Sequence, residues 1–179
     1  TLGFSSNNSI INSSIHNTTF GIKLHFSFNN NIQDNEITGN KYGIYLTHSS
    51  RNNIFRNTIK TNTLFGCWLC CGSTNNTVYL NKFISNNQSA YDAISNQWHK
   101  NNRGNYWSDY KGEDADGDGI GDTPYYIPPD GKNRDKYPLV FFEEEETEET
   151  KEDKEVNGFE VAVTVSALII VFLSRKKRV

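Results

Sequence analysis

The chain has 179 residues, enough for one medium domain with appendages, and a net charge of −3. That mean hides a segregation: residues 1–100 hold seven Lys/Arg against three Asp/Glu, whereas residues 143–155 hold nine acids against two Lys. The scattered basic residues of the first hundred argue against a nucleic-acid partner, and three crowded cysteines (Cys67, Cys70, Cys71) do not make a disulfide framework.

Asparagine dominates, with 24 in all and 22 before residue 106. Such a bias fits either a low-complexity tract or a solenoid with Asn at fixed corners, and periodicity separates the two. Ile10, Ile32, Ile54 and Val78 form a column with spacings of 22, 22 and 24. Three residues on come Ser13, Asn35, Asn57 and Asn81; five on, Ile15, Ile37, Ile59 and Phe83; eight on, Thr18, Asn40, Asn62 and Asn86. An aromatic-Gly pair follows (Phe20-Gly21, Tyr42-Gly43, Phe65-Gly66). Then two apolar positions alternate: Ile22 and Leu24, Ile44 and Leu46, Cys67 and Leu69. Leu2 sits eight before Ile10, so the chain opens within a coil, and with no Met anywhere it is expected to continue upstream.

These apolar stretches have period two and are too short for a three-turn amphipathic helix. They predict an all-β fold, a single-stranded right-handed parallel β-helix of about four 22-residue coils over residues 1–95. Each coil would bury its Ile, Leu, Val or Phe and stack like on like, roughly 4.8 Å apart. Asn at the corners is expected to accept left-handed backbone and to hydrogen-bond along the stack. An exposed last coil is a sticky edge. Residues 96–140 are therefore expected to form an irregular cap built on Trp98, Tyr106, Trp107 and Tyr110.

The repeats and the block Asn101-Asn102-Arg103-Gly104-Asn105-Tyr106-Trp107-Ser108-Asp109-Tyr110 resemble the NosD-like proteins of archaea. The resemblance continues through Asp114-Ala115-Asp116-Gly117-Asp118-Gly119-Ile120-Gly121-Asp122 to Asp135-Lys136-Tyr137-Pro138-Leu139. It implies right-handed β-helix repeats of a kind also described as carbohydrate-binding and sugar-hydrolysis modules.

Asp114, Asp116, Asp118 and Asp122 have the spacing of a calcium loop, with Gly119 at its turn. Tyr125 stands where a bidentate Glu would close an EF-hand, and Asp109, Asp130 or Asp135 would supply the missing oxygens. Calcium is the cofactor this loop implies. Counting from the Leu column places His25, Thr47 and Cys70 in one stack and Phe26, His48 and Cys71 in the next. His25, His48, Cys70 and Cys71 are thus a candidate copper corner, since thiolates and imidazoles suit that metal. The opposing reading makes Cys67 core and the other two cysteines ordinary turn residues. The coils carry only three acids, Asp34, Glu36 and Asp92, too dispersed for the paired carboxylates of glycoside chemistry, so this stretch is expected not to be an enzyme. Asn-x-Ser/Thr sequons stand at Asn7, Asn12, Asn17, Asn75 and Asn87, as a glycosylated surface protein would show.

After the cap, residues 141–157 predict an extended acidic stalk, with a charged helix as the rival reading. Residues 158–174 predict a membrane helix or sorting segment, and 175–179 a basic cytoplasmic tail. Gly158-Phe159-Glu160, an apolar run and a basic end resemble archaeal sorting signals of the PGF type, although Asn157 stands where Pro is expected. The repeats would then lie outside the cytoplasmic membrane, at the cell surface. Three functions follow. The first is an anchored module for adhesion, envelope structure or glycan binding, with an envelope or extracellular glycan or protein as partner. The second is the end of a polysaccharide-active enzyme whose site lies upstream. The third is a NosD-like copper-handling accessory protein.

Overall fold

The computed structural model describes residues 1–141. The expected stalk beyond Phe141, the membrane segment 158–174 and the basic tail lie outside the described residues. Within them the chain winds as a parallel β-solenoid with three sheets. The first stacks β1 (Leu2–Gly3), β4 (Phe20–His25), β7 (Tyr42–Thr47), β10 (Phe65–Cys70) and β13 (Gln88–Asp92). The second stacks β2 (Ser9–Ile11), β5 (Asn31–Gln33), β8 (Asn53–Phe55) and β11 (Thr77–Tyr79). The third stacks β3 (Ser14–His16), β6 (Glu36–Thr38), β9 (Thr58–Lys60), β12 (Lys82–Ile84) and β14 (Tyr106–Trp107). β15 (Tyr125–Ile127) and β16 (Asn133–Asp135) form an antiparallel hairpin in the cap.

The 22-residue period is the register of this stack. Ile10 pairs with Ile32, Ile32 with Ile54, and Ile54 with Val78. Ile15, Ile37, Ile59 and Phe83 align likewise, as do Ile22, Ile44, Cys67 and Ala90. From the second turn onward these side chains are almost wholly buried. Burying each large one contributes about 1.5–3 kcal/mol.

The corners repeat one device: a residue with left-handed backbone, then a polar residue turned into the stack. Asn7, Asn29, Arg51 and Asn75 have φ of 62°, 55°, 59° and 56°. Each precedes a ladder residue: Asn8, Asn30, Asn52 and Asn76. In this ladder the backbone N–H and Nδ2 of each Asn donate to Oδ1 of the Asn one turn on, at 2.9–3.0 Å. Asn thus serves the corners in both expected ways at adjacent positions: Asn7, Asn29 and Asn75 take the left-handed backbone, and Asn8, Asn30, Asn52 and Asn76 hydrogen-bond along the stack. Parallel ladders run through Ser13, Asn35, Asn57 and Asn81, and through Thr18, Asn40, Asn62 and Asn86. A serine ladder, Ser5, Ser27, Ser49 and Ser73, occupies the remaining corner.

The solenoid has about five turns rather than four, with five strands in its first and third sheets. Asn96 and Asn105 extend two of the Asn ladders, and Tyr106 and Trp107 pair with Lys82 and Phe83. Spacings of 20 and 24 residues, with no aromatic-Gly pair, hide this rung in the sequence. Trp107 then lies flat between Phe83 (4.4 Å) and Tyr125 (4.1 Å), joining the last rung to the hairpin.

Candidate functional site

The first sheet carries a wall of half-buried aromatic rings. Phe20, Tyr42 and Phe65 stack down one column at 5.3 and 5.9 Å. Three residues on in each strand, register places Lys23, Tyr45, Trp68 and Tyr91 in a second column. Trp68 stacks on Tyr91 at 4.1 Å, and edge-on contacts lock the two columns together: Phe20 to Tyr45 at 4.9 Å, Phe65 to Trp68 at 4.3 Å. Lys23 Nζ lies 4.8 Å from the Phe20 ring centre. The sequence showed the first column through its aromatic-Gly pairs, whereas the second went unnoticed because its top position is a lysine. Its signal was the recurring residue three after each aromatic.

The Cys/His corner falls beside this wall. Register stacks His25, Thr47 and Cys70 on successive turns. Phe26, His48 and Cys71 all have positive φ, and Phe26 stacks on His48 at 4.6 Å. Cys70 and Cys71 Sγ are 2.6 Å apart, and Cys70 Sγ lies 4.0 Å from the Tyr45 hydroxyl. Burial, then the neighbouring Cys71, pushes the Cys70 thiol up; burial pushes Tyr45 up to about 12. His25 and His48 have ring centres 6.2 Å apart, and Thr47 separates His25 from Cys70. Among the described residues, the only group bringing three such ligand atoms within 4.8 Å of one another is Asp114, Asp116 and Asp118. The corner thus offers copper two adjacent thiols, and the four residues do not form a three-ligand centre. Cys67 is fully buried in the core.

In the Asp loop, the Asp114 carboxylate accepts the N–H groups of Gly117, Asp118 and Gly119 at 2.9–3.1 Å. Asp122 stands apart from the three-oxygen group and accepts the Ala115 N–H at 2.9 Å. The three acids considered for the missing oxygens are engaged elsewhere. Asp109 accepts the Tyr125 hydroxyl, Asp130 pairs with Lys132, and Asp135 is buried at the foot of an Asn ladder.

The in-coil acids are engaged as well. Asp34 pairs with Arg56 at 2.8 Å and Glu36 with Lys60 at 2.6 Å, each one turn on, and these partners hold both carboxyls below their ordinary range. Asp92 is buried and accepts four donors, from Ile94, Asn96 (two) and Trp98. Asn7, Asn12, Asn17, Asn75 and Asn87 are all exposed.

A parallel solenoid with polar ladders at its corners and an aromatic outer wall defines a β-solenoid repeat protein. The family described as periplasmic copper-binding protein (NosD) matches residues 1–112, and the chain belongs to it. It is 42% identical over 66 residues to the probable ABC transporter binding protein NosD of Pseudomonas aeruginosa, covering 36% of this chain and 15% of that protein. It is 39% identical over 74 residues to the protein of the same name from Stutzerimonas stutzeri, covering 38% of this chain and 17% of that one. The matched stretch is thus under a fifth of either relative's length.

Proposed function

We propose that this chain is part of a cell-envelope binding module, outside the cytoplasmic membrane, that contacts glycan through the aromatic wall of its first sheet. The observation that carries this is the wall itself: Phe20, Tyr42, Phe65, Tyr45, Trp68 and Tyr91 locked into one surface by ring contacts. Aromatic rings of this kind supply large rigid contact area and are enriched at interfaces. The periplasmic description of the family supports the location. The acidic stalk and basic-ended apolar segment of the sequence support attachment to the membrane, and calcium at Asp114, Asp116 and Asp118 would tie down the cap. The reading treats this stretch as non-catalytic, because Asp34, Glu36 and Asp92 all serve structural contacts. The test is binding of the full chain to purified envelope polysaccharide, with and without Tyr42→Ala and Trp68→Ala together. An affinity loss of about tenfold with an unchanged far-ultraviolet spectrum is expected. Equal binding by both proteins overturns the reading.

A second reading, a copper-handling accessory protein, is favoured by the adjacent thiols of Cys70 and Cys71 and by the name of the family. Soft thiolate pairs suit Cu(I). Competition against a chromophoric Cu(I) chelator tests it: Cys70→Ala with Cys71→Ala should abolish copper retention, and retention by that variant rejects this corner.

A further inference from the structure

Between the last turn and the cap hairpin lies an open polar cleft of about 440 Å³, on the scale of ligand sites of roughly 300–1,000 Å³. Its lining contains Lys132, Arg134, Lys136 and His99, and no carboxylate. The alternation of β16 explains the charge: Asp135 turns into the core, so Arg134 and Lys136 on either side are exposed. Asp130 pairs with Lys132 at 2.8 Å. Arg134 and Lys136 pair with no carboxylate among the described residues. The opposite wall is neutral and rich in hydrogen-bonding groups, with Asn75 and Gln97 exposed on it. Burial, then the Lys136 charge, lowers the pKa of His99, so the cationic side of the cleft is Arg134 and Lys136.

We infer that this cleft binds an acidic saccharide of the uronate class. Arg134 and Lys136 take the carboxylate, and Asn75 and Gln97 take ring hydroxyls. A small inorganic anion would use the two cations and leave the amide wall idle. An acidic peptide would bring carboxylates but few hydroxyls to that wall. The assignment rests on the glycan reading above and adds a charge requirement at a second place on the molecule.

The experiment is calorimetric titration of the full chain at low salt, where exposed charges are least screened, with trigalacturonate, neutral maltotriose and hexaglutamate as probes. Three proteins are compared: wild type, Arg134→Ala with Lys136→Ala, and Tyr42→Ala with Trp68→Ala. The expected result is trigalacturonate binding that falls at least about tenfold in the Arg134/Lys136 variant, survives in the Tyr42/Trp68 variant and exceeds hexaglutamate binding. The replaced cations are exposed, so an unchanged melting temperature certifies the fold. If the Arg134/Lys136 variant binds trigalacturonate like wild type while the Tyr42/Trp68 variant does not, the cleft is wrong and the wall reading stands. If hexaglutamate binds as tightly as trigalacturonate, the saccharide class is wrong. If trigalacturonate does not bind, the cleft assignment falls, and the wall reading is decided separately by envelope polysaccharide.

Discussion

The Asp135 carboxylate accepts both the backbone N–H of Asn105, at 2.6 Å, and its side-chain amide, at 3.2 Å. This contact ends the ladder that runs from Ser13 through Asn35, Asn57 and Asn81. Asp92 ends the neighbouring ladder in the same way, taking the N–H and Nδ2 of Asn96 at 3.1 and 2.9 Å. Each aspartate also accepts one indole N–H, Trp98 on Asp92 and Trp107 on Asp135. The reason is directional. Every ladder Asn accepts from the turn before it and donates to the turn after it, so the last one is left with donors only. A carboxyl group, whose oxygens take several donors at once, is the matching terminator.

Asp135→Ala removes that terminator and leaves the Asn105 N–H and the Trp107 indole N–H without an acceptor, whereas the Asn105 amide keeps the Val78 and Trp98 carbonyls. At about 1–3 kcal/mol for each of these two buried donors, the variant should lose about 2 kcal/mol or more in denaturant unfolding. A loss below about 1 kcal/mol would show that the ladder end needs no acceptor. Gly104→Ala should be costly for a related reason, since its Cβ would fall 1.8 Å from Asp135 Oδ1.

The same carboxylate sets a pH dependence. Burial pushes Asp135 up from 3.8 to about 6, and its hydrogen bonds offset that only in part. A carboxyl held above its unfolded value contributes stability that is complete below the unfolded pKa and is lost as pH rises through the folded one. Relative to Asp135→Asn, the wild type should therefore lose stability as pH rises from about 4 to about 6 and level off above that. Unfolding free energies of both proteins across that range measure the difference, and parallel profiles would refute it.

Much of the solenoid was legible because stacking converts sequence period directly into spatial register. Ile10, Ile32 and Ile54 touch because they are 22 residues apart, and no long-range inference is needed. The serine ladder and the ladder starting at Asn8 obey the same period, but small polar residues among so many others give no contrast. The fifth rung was hidden where the period broke, at Asn96 and Asn105. The cleft was not legible at all. Lys132 to Lys136 meet Asn75 and Gln97 only because the hairpin folds back on the solenoid, a contact with no periodic signature.

Glycine in the aromatic-Gly pairs is a packing requirement. A Cβ on Gly43 would lie 2.5 Å from the Gly66 carbonyl oxygen and 2.9 Å from Asn62 Nδ2. The first is backbone in a neighbouring strand and the second belongs to a ladder, so neither can yield cheaply. Gly43→Ala should lower stability by about 1–3 kcal/mol, as overpacking does. Gly3→Ala, where nothing lies within 4 Å, should be neutral. Thermal melts of the two variants decide this, and equal effects would remove the packing account of the motif.

Calcium is expected to stabilise the cap through Asp114, Asp116 and Asp118, whose carboxylates offer oxygens within 4.8 Å of one another. Three like charges this close repel, and a divalent ion reverses the sign of that interaction. Extracellular calcium modules bind at about 10⁻⁴–10⁻³ M. At 10 mM calcium the gain is then about 1.4–2.7 kcal/mol. Melts in calcium against chelator should differ by the corresponding few degrees. Asp116→Asn is the informative variant. Asp114 accepts three backbone N–H groups and shapes the loop, whereas Asp116 accepts only the Asp118 N–H, at 3.2 Å. Its substitution should leave the chelated melt unchanged and erase the calcium shift. A shift that survives in Asp116→Asn places calcium elsewhere, and identical wild-type melts in calcium and chelator remove it from the protein.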